Sequence, residues 1–339
     1  MIAFKSGMTN TNASGFALVL VLWVLSLLTI MAASFALDMR RETAIISAIK
    51  TNAQAAQLAE SGIAIAEVML LSPDPIKRWR IDGSIYQIDF AESPEKPGGS
   101  VRIKLISEAG KININKADIK ILTALLASSP IEDEQQQTKL VGALLDWRDE
   151  DDLIHIDGAE KKEYKAAGLS YGPRNKPFQS VEELQMVLGM DAATLNWLTP
   201  LITVYSNQAQ VNPQLATKEV LLALPDVDAN LIQDYITARL ESATKGLPAP
   251  PSPLGPGQQP QASPQEALTV ISEAVMDDGS SSSISAIIKQ SGDVPNKPFK
   301  ILKWQGNTVI EHSLFDDTIG TSSNSELLVK QYAEFEFNR

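Results

Sequence analysis

One uninterrupted apolar run near the start of the chain constrains the fold most. From Phe16 to Leu37 the sequence reads FALVLVLWVLSLLTIMAASFAL, 22 residues without a charge. A helix rises about 1.5 Å per residue, so this run can cross the roughly 30 Å hydrocarbon layer of a bilayer. Charged residues follow it, where a secretory signal peptide would have a small-residue cleavage site. The sequence therefore predicts one transmembrane helix that is retained.

The helix is predicted to continue beyond the membrane, over residues 16–72 in all. No proline occurs between Ala44 and Leu71, and apolar residues recur there at steps of three and four. This spacing predicts that the second half packs one apolar stripe against a soluble domain. The predicted stripe consists of Ile45, Ile49, Ala53, Ala56, Ala59, Ile63, Ala66 and Leu70.

The rest of the chain predicts an antiparallel sheet that is interrupted by helices. Alternating apolar and polar residues indicate two paired strands within residues 73–114 and three more within residues 265–305. Helical patterns fill residues 115–247 between them. The predicted fold class is α+β, with a long N-terminal transmembrane helix packed on an antiparallel sheet and a large all-helical inserted domain. Residues 248–264 are proline-rich and predict an extended linker, and residues 306–339 form a C-terminal extension.

The composition excludes several kinds of function. The chain has 29 Lys and Arg against 41 Asp and Glu, a formal net charge of −12, which opposes binding to a phosphate backbone. It has no cysteine, which excludes disulfides, thiolate metal sites and cysteine nucleophiles. The sequence has no G-x-S-x-G, P-loop, G-x-G-x-x-G or H-E-x-x-H motif. We therefore expect neither an enzyme nor a nucleic-acid-binding protein.

A weak internal repeat in the helical region suggests an alternative function. INKADIKILTALLA, from Ile114, resembles VNPQLATKEVLLALP, from Val211, which predicts two helical hairpins. The second is similar to a helix-hairpin-helix unit, which presents backbone N–H groups to a DNA phosphate. Its turn contains Asp226 and Asp228, whose charges would repel an anion. A membrane-anchored helix-hairpin-helix module is therefore the less favoured alternative.

A dense acidic segment is the candidate metal site. Seven acidic residues lie between positions 149 and 163. Calcium takes six to eight oxygen ligands, often from flexible loops, and carboxylates supply them. The spacing is not that of an EF-hand, and an acidic cluster is also typical of a solvated surface. The spacing alone therefore leaves both interpretations open, and His155 within the segment is predicted to face solvent.

The start of the chain resembles a known family. A polar leader, MIAFKSGMTNTNASG, ends in Gly15 and is followed by the aromatic Phe16 and the apolar run. This arrangement is similar to the class III leader of type IV pilins and type II secretion pseudopilins. The resemblance implies cleavage after Gly15 by the prepilin peptidase, with residues 1–15 as leader, and N-methylation of Phe16. Most members have a glutamate where this chain has Leu20, and its absence resembles the large minor pseudopilin family called protein K.

The acidic segment extends this resemblance. Members of the protein K family carry a D-W-x-D-x-D segment followed by G-A-E and a tyrosine, matched here by Asp146, Trp147, Asp149, Asp151, Gly158, Ala159, Glu160 and Tyr164. The family binds calcium in the inserted domain, so the resemblance implies a structural Ca²⁺. Asp146 is expected to brace the loop, and Arg148, Lys161 and Lys162 to weaken the field for a cation. The expected ligands are Asp149, Asp151, Asp152, Asp157, Glu160 and Glu163.

The resemblance implies a minor pseudopilin at the tip of the type II secretion pseudopilus. Such a subunit initiates or caps filament assembly for export of folded proteins across the outer membrane. It is expected as a single-pass protein of the bacterial inner membrane with its C-terminal bulk in the periplasm. Expected partners are the other minor pseudopilins, the prepilin peptidase, the inner-membrane secretion platform and secreted exoproteins, with no nucleic acid. A minor pilin of a type IV pilus is the alternative.

Overall fold

The computed structural model describes residues 14–74, 77–91, 98–245, 247–254, 266–291, 297–306, 313–314 and 328–330. Most of the predicted leader, much of the predicted linker and most of the C-terminal extension lie outside the described residues. The chain forms two compact units, residues 1–54 and residues 55–339.

One helix, α1 (Ser14–Leu70), runs for 57 residues and confirms the predicted continuous helix. Its first part is exposed and is long and apolar enough to cross a membrane. The predicted stripe is wrong at its start, because Ile45, Ile49 and Ala53 are exposed. Burial begins at Ala55, where the second unit begins.

The second unit contains an antiparallel sheet with one parallel edge strand. The sheet order is β7-β6-β5-β2-β1-β8, with β8 parallel to β1. A separate two-stranded parallel sheet joins β3 to β4. The strands are β1 (Asp82–Phe90), β2 (Gly99–Ser107), β3 (Ile112–Asn113), β4 (Ile202–Thr203), β5 (Ala267–Met276), β6 (Ser281–Gln290), β7 (Phe299–Gly306) and β8 (Leu328–Lys330).

The sheet is interrupted as the sequence predicts. β1 pairs with β2, and β5 pairs with β6, each in antiparallel register. The two halves meet where β2 pairs with β5, from Gly99 opposite Met276 to Ser107 opposite Leu268. Residues 108–266 thus lie between two adjacent strands.

The C-terminal part of α1 packs on one face of the sheet. Ala59, Ile63 and Ala66 join a core with alternate strand residues such as Val101 and Ile103. Gly62 permits the close approach, since a Cβ there would lie 2.1 Å from Ser272 Oγ and 2.9 Å from Val101 Cγ1. The missing side chain therefore fixes how near the helix comes to the sheet.

The segment between β3 and β5 forms a helical insert with its own core. The described part of this segment consists of short helices joined by turns and loops, and β4 is the only strand in it, so the predicted all-helical insert is wrong at these two residues. A core separate from that of the sheet runs through the insert and includes Leu122, Leu144 and Tyr164. The helices are α2 (Ile119–Ala127), α3 (Glu134–Arg148), α4 (Lys161–Ala166), α5 (Ala192–Leu198), α6 (Lys218–Leu222) and α7 (Ala229–Thr244), with 3₁₀ turns at Glu108–Gly110 and Val181–Met186.

The internal repeat is present, but two residues out of the predicted register. The side chain of Asn113 accepts from the N–H two residues on, and its carbonyl accepts from Lys116 and Ala117. Asn212 makes the same set of bonds with the residues two, three and four positions ahead. Asn113, and not Asn115, is therefore the counterpart of Asn212. Each asparagine starts a turn that leads into a helix, α2 or α6.

The turn between α6 and α7 differs from a phosphate-binding turn. Asp226 has a positive φ of 61°, the conformation that glycine adopts most easily. Its carboxylate pairs with Lys120 at 2.6 Å, although both side chains are largely exposed. Asp228 caps α7 by accepting from the N–H of Asn230. Both carboxylates thus have structural roles in the turn.

A buried polar contact joins the insert to the sheet. The carboxylate of Glu108, 1% exposed, accepts hydrogen bonds from Thr203 in β4 and Thr269 in β5. It also pairs with Lys111 Nζ at 2.6 Å. Because a buried carboxylate is costly unless it is paired, these contacts stabilise one arrangement of insert and sheet.

We predict that Gly62→Leu will lower the free energy of unfolding by about 1–3 kcal/mol, since the added side chain has no space between α1 and the sheet. Ala64→Leu, an exposed position on the same helix, is the control and should change it by less than about 0.5 kcal/mol. Urea unfolding of the detergent-solubilised protein, followed by circular dichroism, measures both. Equal stability of the two variants would contradict the close approach at Gly62.

Candidate metal centre

The end of α3 carries a carboxylate that is completely buried. Every residue from Leu140 to Trp147 is buried, and Asp146 is 0% exposed. Trp147 holds this end of the helix in place. Its ring stacks on Phe178 with centroids 6.1 Å apart, and its Nε1 donates to Glu183 Oε1 at 2.9 Å.

Two glycines let the acidic loop fold against α3. A Cβ on Gly142 would lie 2.7 Å from the Cα of Gly158. A Cβ on Gly158 would lie 2.1 Å from Asp146 Oδ2. The backbone at Gly158 therefore passes directly over the buried carboxylate, which explains why small residues occupy both positions.

Several carboxylate oxygens in this region have no hydrogen-bond partner. Asp146 Oδ1 accepts from the His155 N–H at 3.0 Å, but the buried Oδ2 has no partner among the described residues. The same holds for Asp149 Oδ1 and for both oxygens of Glu160, again within the part of the chain that is described. Buried acceptors without donors are costly, and a cation would satisfy them.

Burial and neighbouring charges raise the pKa values of two carboxylates in the cluster. Burial, and then the charges of Asp146, Asp149 and Asp152, raise the pKa of Glu160 to about 7. Burial, and then the charges of Asp146 and Asp151, also raise the pKa of Asp149. Burial and the neighbouring charges thus make Asp149 and Glu160 harder to ionise. A divalent cation would reverse this effect by stabilising the ionised forms.

Three of the six predicted ligands belong to this cluster. Asp146, Asp149 and Asp152 lie near enough to Glu160 for their charges to raise its pKa. One atom each of Asp146, Asp149 and His155 could also hold a metal ion, since all lie within 4.8 Å of one another. Asp146, predicted only to brace the loop, both braces it and offers a free oxygen.

The other three predicted ligands have different positions. Asp151 is exposed and accepts from the N–H of Leu153, which closes a local turn. Asp157 is exposed with a positive φ of 57°. Glu163 accepts from the N–H of Glu160 at 3.0 Å at the start of α4.

The contacts of His155 and of the basic residues near the cluster agree only partly with the expectation from the sequence. His155 is exposed, as the sequence predicts, and its Nδ1 also lies 2.6 Å from Asp146 Oδ1. Arg148 donates to the carbonyls of Ile114 and Ala117, and so anchors the start of the insert. Lys161 and Lys162 are exposed.

A long apolar helix on an antiparallel sheet, with a helical insert, defines a pilin-like subunit with one membrane-anchoring helix. Residues 103–207 match the family model for type II secretion system protein K. Over this segment the chain is similar to the protein K family.

Proteins of this name are similar over different lengths. The one from Pseudomonas aeruginosa is 27% identical over 251 residues, which cover 67% of this chain and 72% of the relative. The one from Klebsiella pneumoniae is 35% identical over 101 residues, covering 29% and 30%. Among solved structures, the GspK-GspI-GspJ complex from the enterotoxigenic Escherichia coli type 2 secretion system matches with a TM-score of 0.46 and 17% identity, covering 80% of this chain and 99% of that one.

Proposed function

We propose that this minor pseudopilin of the type II secretion system occupies the tip of the pseudopilus, where it initiates or caps the filament. The observation that carries the proposal is the insert, residues 108–266, folded on its own core beside the sheet. A subunit with this added bulk leaves little room for another to stack above it. The proposed partners are the other minor pseudopilins, the prepilin peptidase, the inner-membrane secretion platform and the secreted exoproteins.

The position of Leu20 supports a place at the tip. Leu20 lies within the exposed apolar part of α1, which would contact lipid or neighbouring helices. An acidic residue within the hydrocarbon layer is costly unless a group of a neighbouring helix pairs with it. A chain with leucine there needs no such neighbour and is suited to be the first subunit.

We propose that the prepilin peptidase cleaves between Gly15 and Phe16 and that Phe16 is N-methylated. Gly15 lies in α1, one residue before the apolar run. Cleavage there would leave a helix that starts at the membrane boundary. The protein would then be held in the inner membrane by this helix, with the insert and the sheet in the periplasm.

We propose that the acidic cluster binds a structural Ca²⁺. The proposal is supported by the buried, unpartnered Oδ2 of Asp146 and by the free oxygens of Asp149 and Glu160. Asp152 contributes charge to the same cluster. Oxygen ligands of this kind match a hard cation, and a bound ion would fasten the acidic loop to α3. The ion has no catalytic role in this proposal, since the protein K family is a structural part of the secretion machinery.

We predict that Ca²⁺ raises the melting temperature of the solubilised protein by about 5–10 °C at a hundredfold excess over its Kd, and that chelator reverses this. Asp146→Asn should abolish the shift. The variant keeps the oxygen that accepts from His155 but loses the buried charge. Calorimetric titration gives the matching binding isotherm.

Glu150→Gln is the matched control for this experiment, because Glu150 is an exposed acid of the same loop outside the predicted ligand set. It should bind Ca²⁺ as the wild type does. A wild-type protein that shows no heat of binding, or equal loss in both variants, would contradict a site at Asp146.

Deletion of the gene in the native host distinguishes a type II secretion pseudopilin from a type IV pilus subunit. We expect export of type II substrates to be lost and twitching motility to be retained. Complementation with the wild-type gene should restore export, because the filament then regains its first subunit. Loss of twitching with normal export would instead assign the protein to a type IV pilus.

A further inference from the structure

Two residues of the C-terminal extension, Ser313 and Leu314, lie on the face of the sheet opposite α1. Val101 and Ile103 of β2 point into the core under α1, so Arg102 between them points to the other face. Glu273 of β5 lies directly opposite Arg102 in the ladder. Both side chains are hydrogen-bonded to the extension, at Ser313 or Leu314.

The two charged side chains hold one residue of main chain between them. Arg102 Nη1 donates to the carbonyl of Leu314 at 2.7 Å. The N–H of Leu314 donates to Glu273 Oε2. The hydroxyl of Ser313 donates to Glu273 Oε1 at 2.7 Å. Arg102 thus binds the carbonyl of Leu314, and Glu273 binds the N–H of the same residue.

These contacts explain why two charges are buried on this face. Arg102 is 7% exposed and Glu273 is 8% exposed. Charged residues are rarely so buried unless they are paired, and hydrogen bonds to charged groups are stronger than neutral ones. Arg102 is oriented by a further bond from its Nε to Gln87 Oε1 at 3.0 Å. The arrangement is a built site, which contacts the main chain of Leu314 and the hydroxyl of Ser313.

The extension also covers an edge of the sheet. β8 pairs in parallel with β1, with Leu328 opposite Ile85 and Lys330 opposite Gln87. Gln87 thus faces β8 through its backbone and contacts Arg102 through its side chain. An open strand edge is a template for pairing with another chain, so the edge of β1 is protected here.

We propose that Arg102 and Glu273 form a binding site for an extended main-chain segment, filled by Ser313 and Leu314 of the same chain. Docking there holds the extension against the sheet and keeps β8 on β1. The site binds the N–H and the carbonyl of one residue and the side-chain hydroxyl of the residue before it. Its occupation prevents other chains from adding to the β1 edge.

Hydrogen exchange of the full-length protein in detergent tests the site. In the wild type, the amide of Leu314 should exchange at least about tenfold more slowly than in an unstructured peptide. Leu314→Pro removes this N–H and should release the segment, raising exchange in residues 85–87 by about tenfold as β8 leaves. Leu314→Ala retains the main-chain groups and should behave as the wild type. Exchange in α3 reports whether each variant remains folded.

A second pair of variants tests the sheet side. Glu273→Ala removes both acceptors and should free the Leu314 amide, whereas Ser281→Ala, at an exposed position on β6, should not. Exchange of the wild-type Leu314 amide at the rate of a free peptide overturns the proposal, even if a variant fails to fold. Unchanged protection in folded Glu273→Ala also overturns it.

Discussion

The pairing of β2 with β5 is the contact on which the rest of the structure depends. It joins Gly99–Ser107 to residues 268–276 and so closes a long loop of chain. The entropy cost of closure rises only slowly with loop length, so a large insert is tolerated if it folds by itself. It does so around a separate core, and Glu108 links that core to the sheet through Thr203 and Thr269. The scaffold can therefore carry a second domain without losing its own register.

Within the insert, close packing brings together carboxylates whose charges repel one another. The two glycines at positions 142 and 158 bring the acidic loop down onto a buried carboxylate, and the resulting crowding raises the pKa of Glu160. The proposed calcium ion would offset this repulsion. A different balance holds beside β1, where burial would raise the pKa of Asp82 but the charges of Arg80 and Arg239 lower it. Partners within the described chain satisfy Asp82, whereas Asp146 Oδ2 has no such partner there.

Much of the fold could be predicted from local patterns, because period-two alternation marks the strands and the absence of proline marks α1. The residues that the sequence did not predict are those whose roles depend on tertiary contacts. Asp146 converges with Asp149 and Glu160 only because α3 and the loop pack together, and the linear sequence does not show this convergence. The repeat register depends on the hydrogen bonds of Asn113, and the docking of Leu314 depends on residues far away in the chain.

The mass of the mature protein, extracted from membranes of its native host, tests the central claim most directly. If this chain is a pseudopilin, its first residue should be Phe16, carrying one added methyl group, with the apolar helix intact. An N-terminus at Met1, or cleavage behind the apolar run that releases a soluble form, would contradict the account.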